Sequence, residues 1–185
     1  GQIPYNFPAK PRSNEEPNAR GRSHYNGALW PFGFGLSYTT FSIGRPAAEP
    51  LQEETEVPSG TFFGRLFGST VHETKQTGWR VTVPVTNTGS RAGDEVVQLY
   101  IAYAQTPRVS WFDQMLRGFK RVHLKPGETQ TVTFNLSMDD LKIALDDQSW
   151  VLPQMPFEIR IGVSSQHIRQ RILIDGTTLR KIESV

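Results

Sequence analysis

The stretch WRVTVPVTNTGSRAGDEVVQLYIAY, Trp79 to Tyr103, decides how this chain folds. Its first part alternates: Val81, Val83 and Val85 fall on one side of an extended backbone, and Arg80, Thr82 and Thr86 on the other. The polar TGSRAG that follows reads as a turn. DEVVQLYIAY then resumes the two-residue period, with Val97, Leu99, Ile101 and Tyr103 sharing a face. Pro84 predicts an edge or bulge at its position, because proline cannot donate to a strand ladder.

Working outward, the downstream sequence repeats the pattern. LRGFKRVHL is a shorter strand, and KPGE (Lys125 to Glu128) is a Pro-Gly turn. TQTVTFNL directs Val132, Phe134 and Leu136 inward. In SMDDL, Ser137 precedes Asp140 by three residues, the spacing of a reciprocal cap on one short helical turn. WVL, FEIRIGV (Phe157, Ile159, Ile161, Val163) and RQRILI complete the series. About seven short strands with regular turn signals predict an all-β fold, an immunoglobulin-like or fibronectin type III-like β-sandwich preceded by an extended linker.

Upstream the character changes. Residues 1–26 hold Pro4, Pro8, Pro11 and Pro17 among unpatterned polar residues and read as extended linker. Residues 27–44 form an aromatic junction running into the first strand: GALWPFGFGLSYTTF carries Trp30, Phe32, Phe34, Tyr38 and Phe41 between glycines. Each such ring can bury on the order of 150–250 Å², too much to leave without a partner surface. Gly33 and Gly35 are expected to relieve backbone sterics there. Residues 45–78 read as a long loop or insertion, GRPAAEPLQEETEVPSG being solvated and TFFGRLFGSTV either an extra hairpin or a loop pinned by its aromatics. Residues 79–185 supply the rest of the sandwich.

The 185 residues suffice for one domain with a core plus an appendage. The net charge of +2 is spread along the chain, and RGFKR (Arg117 to Arg121) is its only basic cluster, so no nucleic-acid partner is predicted. With no cysteine there is no disulfide framework and no thiolate nucleophile. No run approaches the roughly 18 apolar residues of a membrane span, so no membrane partner is predicted. The opening GQIPYNFPAKP lacks a basic segment, an apolar segment and an initiating methionine; a processed chain, an engineered boundary or the interior of a longer chain would each explain it.

Catalytic signatures are missing. Glu15/Glu16, Glu53/Glu54, Asp94/Glu95, Asp139/Asp140 and Asp146/Asp147 are adjacent pairs. A glycosidase needs two carboxyls facing each other across a sugar, whereas neighbours on a strand point to opposite faces. Capping, turn formation and loop solvation account for these pairs more simply. His24, His72, His123 and His167 are scattered, so no metal site is predicted. GFGLSYT fails the spacing of a nucleophile elbow, and FGFG lacks the third glycine of a dinucleotide loop. No cofactor is expected. NLS at Asn135 is a formal glycosylation sequon, with Asn135 expected to point outward.

Several segments together resemble one family. ALWPFGFGLSYTTF is similar to PLYPFGYGLSYTTF, found before the C-terminal domain of glycoside hydrolase family 3 enzymes, chiefly β-glucosidases and β-xylosidases. VTNTGSRAGDEVVQLYI and LRGFKRVHLKPGETQTVTFNL resemble the family's VTNTGxxxGDEVVQLYV and LKGFKRVxLKPGExxxVxFxL. SMDDL and FEIRIGVSS stand where xxDDL and FEVxVGxSS are found, and GQIPYNFP is similar to the last segment of the second catalytic domain. Met155-Pro156 replaces the family's Pro-Gly, Trp111 and Phe112 occupy a plainer segment, and the stretch from Ile43 to Trp79 is longer than usual.

The resemblance implies a non-catalytic, fibronectin type III-like C-terminal domain that packs on the barrel and second domain of the same enzyme. It implies that residues 1–26 are the tail of the preceding catalytic domain. The family's aspartate nucleophile and acid/base glutamate lie in those other domains, so this chain is expected to contain no catalytic residue. The parent reaction is retaining hydrolysis of terminal β-linked sugars, a β-glucosidase first and a β-xylosidase second. Trp30, Phe32, Phe34, Tyr38, Phe41, Trp111 and Phe112 are the expected docking residues. In some members the linker nears the sugar cleft, which makes Arg20, His24, Tyr25, Asn26 and Trp30 the substrate-proximal candidates, against a plainer reading as a tether. A binding-module alternative would use Trp79, Trp111 and Phe112 as a sugar platform. A homo-oligomer is compatible with the family, as is export to a periplasm or beyond the cell, which no residue of the chain shows.

Overall fold

A computed structural model describes residues 30–58, 70–103, 114–144, 149–175 and 180–181. Among these, eleven strands and one 3-10 turn follow the chain: β1 (Phe41–Ile43), β2 (Ala47–Pro58), β3 (Thr70–Asn87), β4 (Gly93–Tyr103), β5 (Met115–Leu124), β6 (Thr129–Ser137), the 3-10 turn Asp139–Leu141, β7 (Ile143–Ala144), β8 (Trp150–Val151), β9 (Phe157–Gly162), β10 (Ile168–Asp175) and β11 (Arg180–Lys181). One sheet is built on β3, with β6 along one edge and β1 followed by β2 along the other. The second runs β11-β10-β9-β4-β5, and β7 pairs with β8 separately.

The two main sheets enclose one core, as a β-sandwich requires. Trp79, Val81, Val83 and Val85 of β3 are buried with Val132, Phe134 and Leu136 of β6, their registered partners Trp79–Leu136, Val81–Phe134 and Val83–Val132 lying on the same face. Val97, Leu99 and Ile101 of β4, Ile159 and Ile161 of β9, and Ile172 and Ile174 of β10 meet them from the other sheet. The alternating pattern read from Trp79 onward is thus the core face. Trp79 is core, which removes it from any sugar platform.

Two turns form as their residues dictate. At Lys125–Glu128 the Glu128 amide donates to the Lys125 carbonyl at 3.0 Å, and Gly127 takes the positive φ of +75° that this turn demands. At the 3-10 turn, Ser137 N–H donates to the Asp140 carboxylate at 2.8 Å and Asp140 N–H donates to Ser137 Oγ at 3.2 Å, the reciprocal cap.

Two expectations are corrected. Pro84 lies on a central strand, not an edge. Its registered neighbour on one side is Thr131 of β6; on the other side β1 ends at the Ile43–Val85 pair and β2 begins at Ala47–Thr82. Gly44 N–H donates to the Pro84 carbonyl at 2.8 Å, so the missing Pro84 donor faces the break between β1 and β2, where no ladder bond is lost. Residues 45–78 are expected as a long loop or insertion; the loop reading gives way where the chain is described, because Ala47–Pro58 and Thr70 onward form an antiparallel ladder with one register shift, between Leu51 and Gln52. From Gln52–Gln76 to Pro58–Thr70 this ladder extends as an arm, roughly 20 Å long at about 3.3 Å per residue. Residues 52–56 and 70–75 are exposed on both faces, so burial leaves no alternating signature in their sequence. The aromatic part of TFFGRLFGSTV lies outside the described residues.

Candidate functional site

The junction residues Trp30 to Thr40 lie at the outward side of the β11-β10-β9-β4-β5 sheet before the chain enters β1. Hydrogen bonds trace the path. Phe34 N–H donates to the Pro31 carbonyl at 3.0 Å, closing a turn, and Ser165 N–H donates to the Phe32 carbonyl at 2.9 Å. The Gln98 amide on β4 donates to Gly33 O at 2.9 Å, Ser37 Oγ donates to Asp94 O at 3.1 Å, and Thr39 Oγ1 donates to Asn87 Oδ1 at 2.8 Å. Thr88 N–H then donates to Thr40 O at 2.8 Å, and Phe41 pairs with Asn87 at the start of β1. The junction is main chain stitched to a sheet.

Asn87 makes the β3–β4 turn a fixed landing point. Fully buried, it donates through Nδ2 to Arg91 O at 2.7 Å and Leu124 O at 2.9 Å, while Oδ1 accepts from Thr39 and from Gly89 N–H at 3.0 Å. Four hydrogen bonds satisfy one buried amide completely. Beside it, Asp94 accepts from Arg121 at 2.9 Å and lies 3.1 Å from His123 Nδ1. The Arg121 guanidinium, helped by His123, holds the Asp94 carboxyl below the usual carboxylate range.

The rings divide into two groups. Trp30 stacks on Phe34 with centroids 4.5 Å apart, yet Trp30 remains 60% exposed. Tyr38 is 95% exposed, and Leu36, which carried no sequence signal, is 88% exposed. Phe119 of β5, registered opposite Gln98, adds a ring that is 67% exposed on the same side of the sheet. Phe41 packs against the sandwich core, and Phe32 is half-buried. Arg20, His24, Tyr25, Asn26, Trp111 and Phe112 lie outside the described residues. Gln98, Asn87 and Phe119 were missed by sequence reasoning, because their partners are tens of residues away and no local pattern marks them.

Two of the carboxylate pairs have structural duties, while Glu53 and Glu54 stand exposed on β2. Glu95 Oε1 accepts from Val96 N–H at 2.9 Å, and burial raises its carboxyl. Asp139 pairs with Lys142 at 2.7 Å, and Asp140 makes the cap. Asp94 and Glu95 serve different neighbours, as adjacent strand residues should.

A fibronectin type III-like domain model matches residues 95–165. The β-xylosidase of Formosa agariphila is 39% identical over 168 residues, which are 90% of this chain and 20% of that protein. The probable β-glucosidase G of Aspergillus flavus is 38% identical over 158 residues, 84% of this chain and 19% of its own length. Among solved structures, the GH3 β-glucosidase of Bifidobacterium adolescentis matches with a TM-score of 0.61 at 27% identity, covering 78% of this chain and 18% of that one. The chain spans about a fifth of the length of the curated relatives it matches. The sandwich, the junction motif stitched to it and these likenesses show that the chain carries the fibronectin type III-like domain of the glycoside hydrolase family 3 type.

Proposed function

We propose that this chain is the packing domain of a larger family 3 enzyme that hydrolyses terminal β-linked sugars, a β-glucosidase in the first instance. The supporting observation is the junction: a segment hydrogen-bonded along its length to the sandwich still presents Trp30, Leu36 and Tyr38 outward. Apolar surface of this size, on main chain so firmly held, is suited to a rigid partner. The catalytic barrel and second domain of the same polypeptide are that partner. The linker before Trp30 reaches them, with Arg20, His24, Tyr25 and Asn26 as candidates for its approach to the sugar cleft.

Replacing Trp30 and Phe34 together by alanine in the full-length enzyme tests the proposal. The sandwich core contains neither ring, so the expected result is a lower temperature of thermal inactivation with the sandwich still folded. Unchanged inactivation and activity would refute docking through this surface.

A β-xylosidase parent is the second reading, favoured by the Formosa agariphila relative. Hydrolysis of 4-nitrophenyl β-D-xyloside and β-D-glucoside by the full-length enzyme decides between them. Retention of the isolated chain on insoluble glucan or xylan would instead support a carbohydrate-binding role.

A further inference from the structure

Gln98 stands on the outward face of β4, buried where the junction crosses the sheet. Its Nε2 donates to two carbonyls, Gly33 O in the junction and Val163 O just beyond β9, each at 2.9 Å. Its Oε1 accepts from the hydroxyl of Tyr100, itself fully buried. The orientation of the amide is therefore determined: reversed, it would set its oxygen against two carbonyls. Gly33 is matched to it. The glycine has a φ of +75°, and a Cβ at that position would run into the Gln98 amide.

We infer that Gln98 is the positioning residue of the junction, holding Gly33 so that the Trp30–Phe34 pair is presented from the sandwich in one fixed direction. The inference rests on the docking reading proposed above. Apolar contact alone would let the segment slide along the sheet, since hydrophobic attraction is non-directional. A buried amide that bridges Gly33 and Val163 sets the register, because its hydrogen bonds demand distance and angle. The Ser165 amide on Phe32 O, at 2.9 Å, supports the same register from the neighbouring turn. Tyr100 acts through Gln98: its hydroxyl occupies the one amide atom that could otherwise oppose the carbonyls.

The test compares Gln98→Met, which keeps length and loses the donors, with Gly33→Ala, which leaves Gln98 intact and adds a methyl group at the contact. Both are made in the full-length enzyme. Amide exchange at Phe34 and Ser165 is expected to quicken at least tenfold in each, with the amides of β6 and β9 unchanged. KM for the better of 4-nitrophenyl β-D-glucoside and β-D-xyloside is expected to rise several-fold, with kcat within twofold. A purely structural residue would lower global stability without this split between KM and kcat. If Gln98→Met fails to fold, Gly33→Ala carries the same prediction. Unaltered exchange overturns the inference, and so does faster exchange with KM unmoved. An enzyme indifferent to the Trp30/Phe34 double replacement refutes the docking reading itself. One impaired by that replacement and indifferent to Gln98→Met refutes only the positioning role.

Discussion

Asn87 shows how much a single buried amide can organise. It joins the junction through Thr39, the β3–β4 turn through Gly89 and Arg91, and the end of β5 through Leu124. Asn87→Ala strands the buried Leu124 carbonyl and the partly buried Thr39, Gly89 and Arg91 groups, for which a loss of about 3 kcal/mol is expected in urea unfolding. A loss under about 0.5 kcal/mol, the usual range for surface replacements, would mean water replaces the amide. Asp94 makes a second prediction. Its folded carboxyl lies below the ordinary 3.8, lowered first by the Arg121 hydrogen bond. Its contribution to stability is therefore present above that value and disappears as pH falls through the lower folded value. NMR titration should find the Asp94 carboxyl returning toward 3.8 in Arg121→Gln; an unchanged titration would assign the lowering elsewhere. Because the group is exposed, salt should weaken the same effect.

At the scale of elements, β3 serves two structures at once. From Trp79 to Asn87 it is the spine of one sheet, and from Thr70 to Gln76 it is half of an exposed arm. The register shift between Leu51 and Gln52 falls where the arm leaves the sandwich, as bulges commonly mark such changes of direction. Among the described residues of the arm little apolar surface is buried, so the sandwich should not depend on it. Replacing residues 52–76 by an Asn-Gly turn is expected to leave unfolding free energy within about 1 kcal/mol, since residues 52–56 and 70–75 are exposed and off the core. A collapse of cooperativity in denaturant would show instead that the arm belongs to the core. The central position of Pro84 depends on the same arrangement, because β1 and β2 share one edge of β3 and leave a gap opposite it.

For the whole molecule, the division of labour follows from what the chain holds. Among the described residues, Asp94, Glu95, Asp139 and Asp140 serve a cap, ion pairs and a backbone amide, and Trp30, Leu36 and Tyr38 expose apolar surface at the junction. The isolated chain is expected to give no sustained turnover of 4-nitrophenyl β-D-glucoside above a blank. Turnover that persisted through purification would overturn the non-catalytic reading.

β3 from Trp79 and β6 were legible because one face of each is buried, which imprints a period of two on Val81, Val83, Val85 and on Val132, Phe134, Leu136. The Lys125–Glu128 turn and the Ser137–Asp140 cap were legible because their chemistry is complete within four residues. The aromatic junction was legible as a motif and as excess apolar surface, though not as a path. The arm was hidden because water on both sides leaves no period to read. Which junction rings face outward, where Pro84 finds its gap, and which amide holds Gly33 were decided by contacts between residues far apart in the chain. Hydrogen bonds such as Gln98 to Gly33 depend on two surfaces meeting, and only the folded sheet brings those surfaces together.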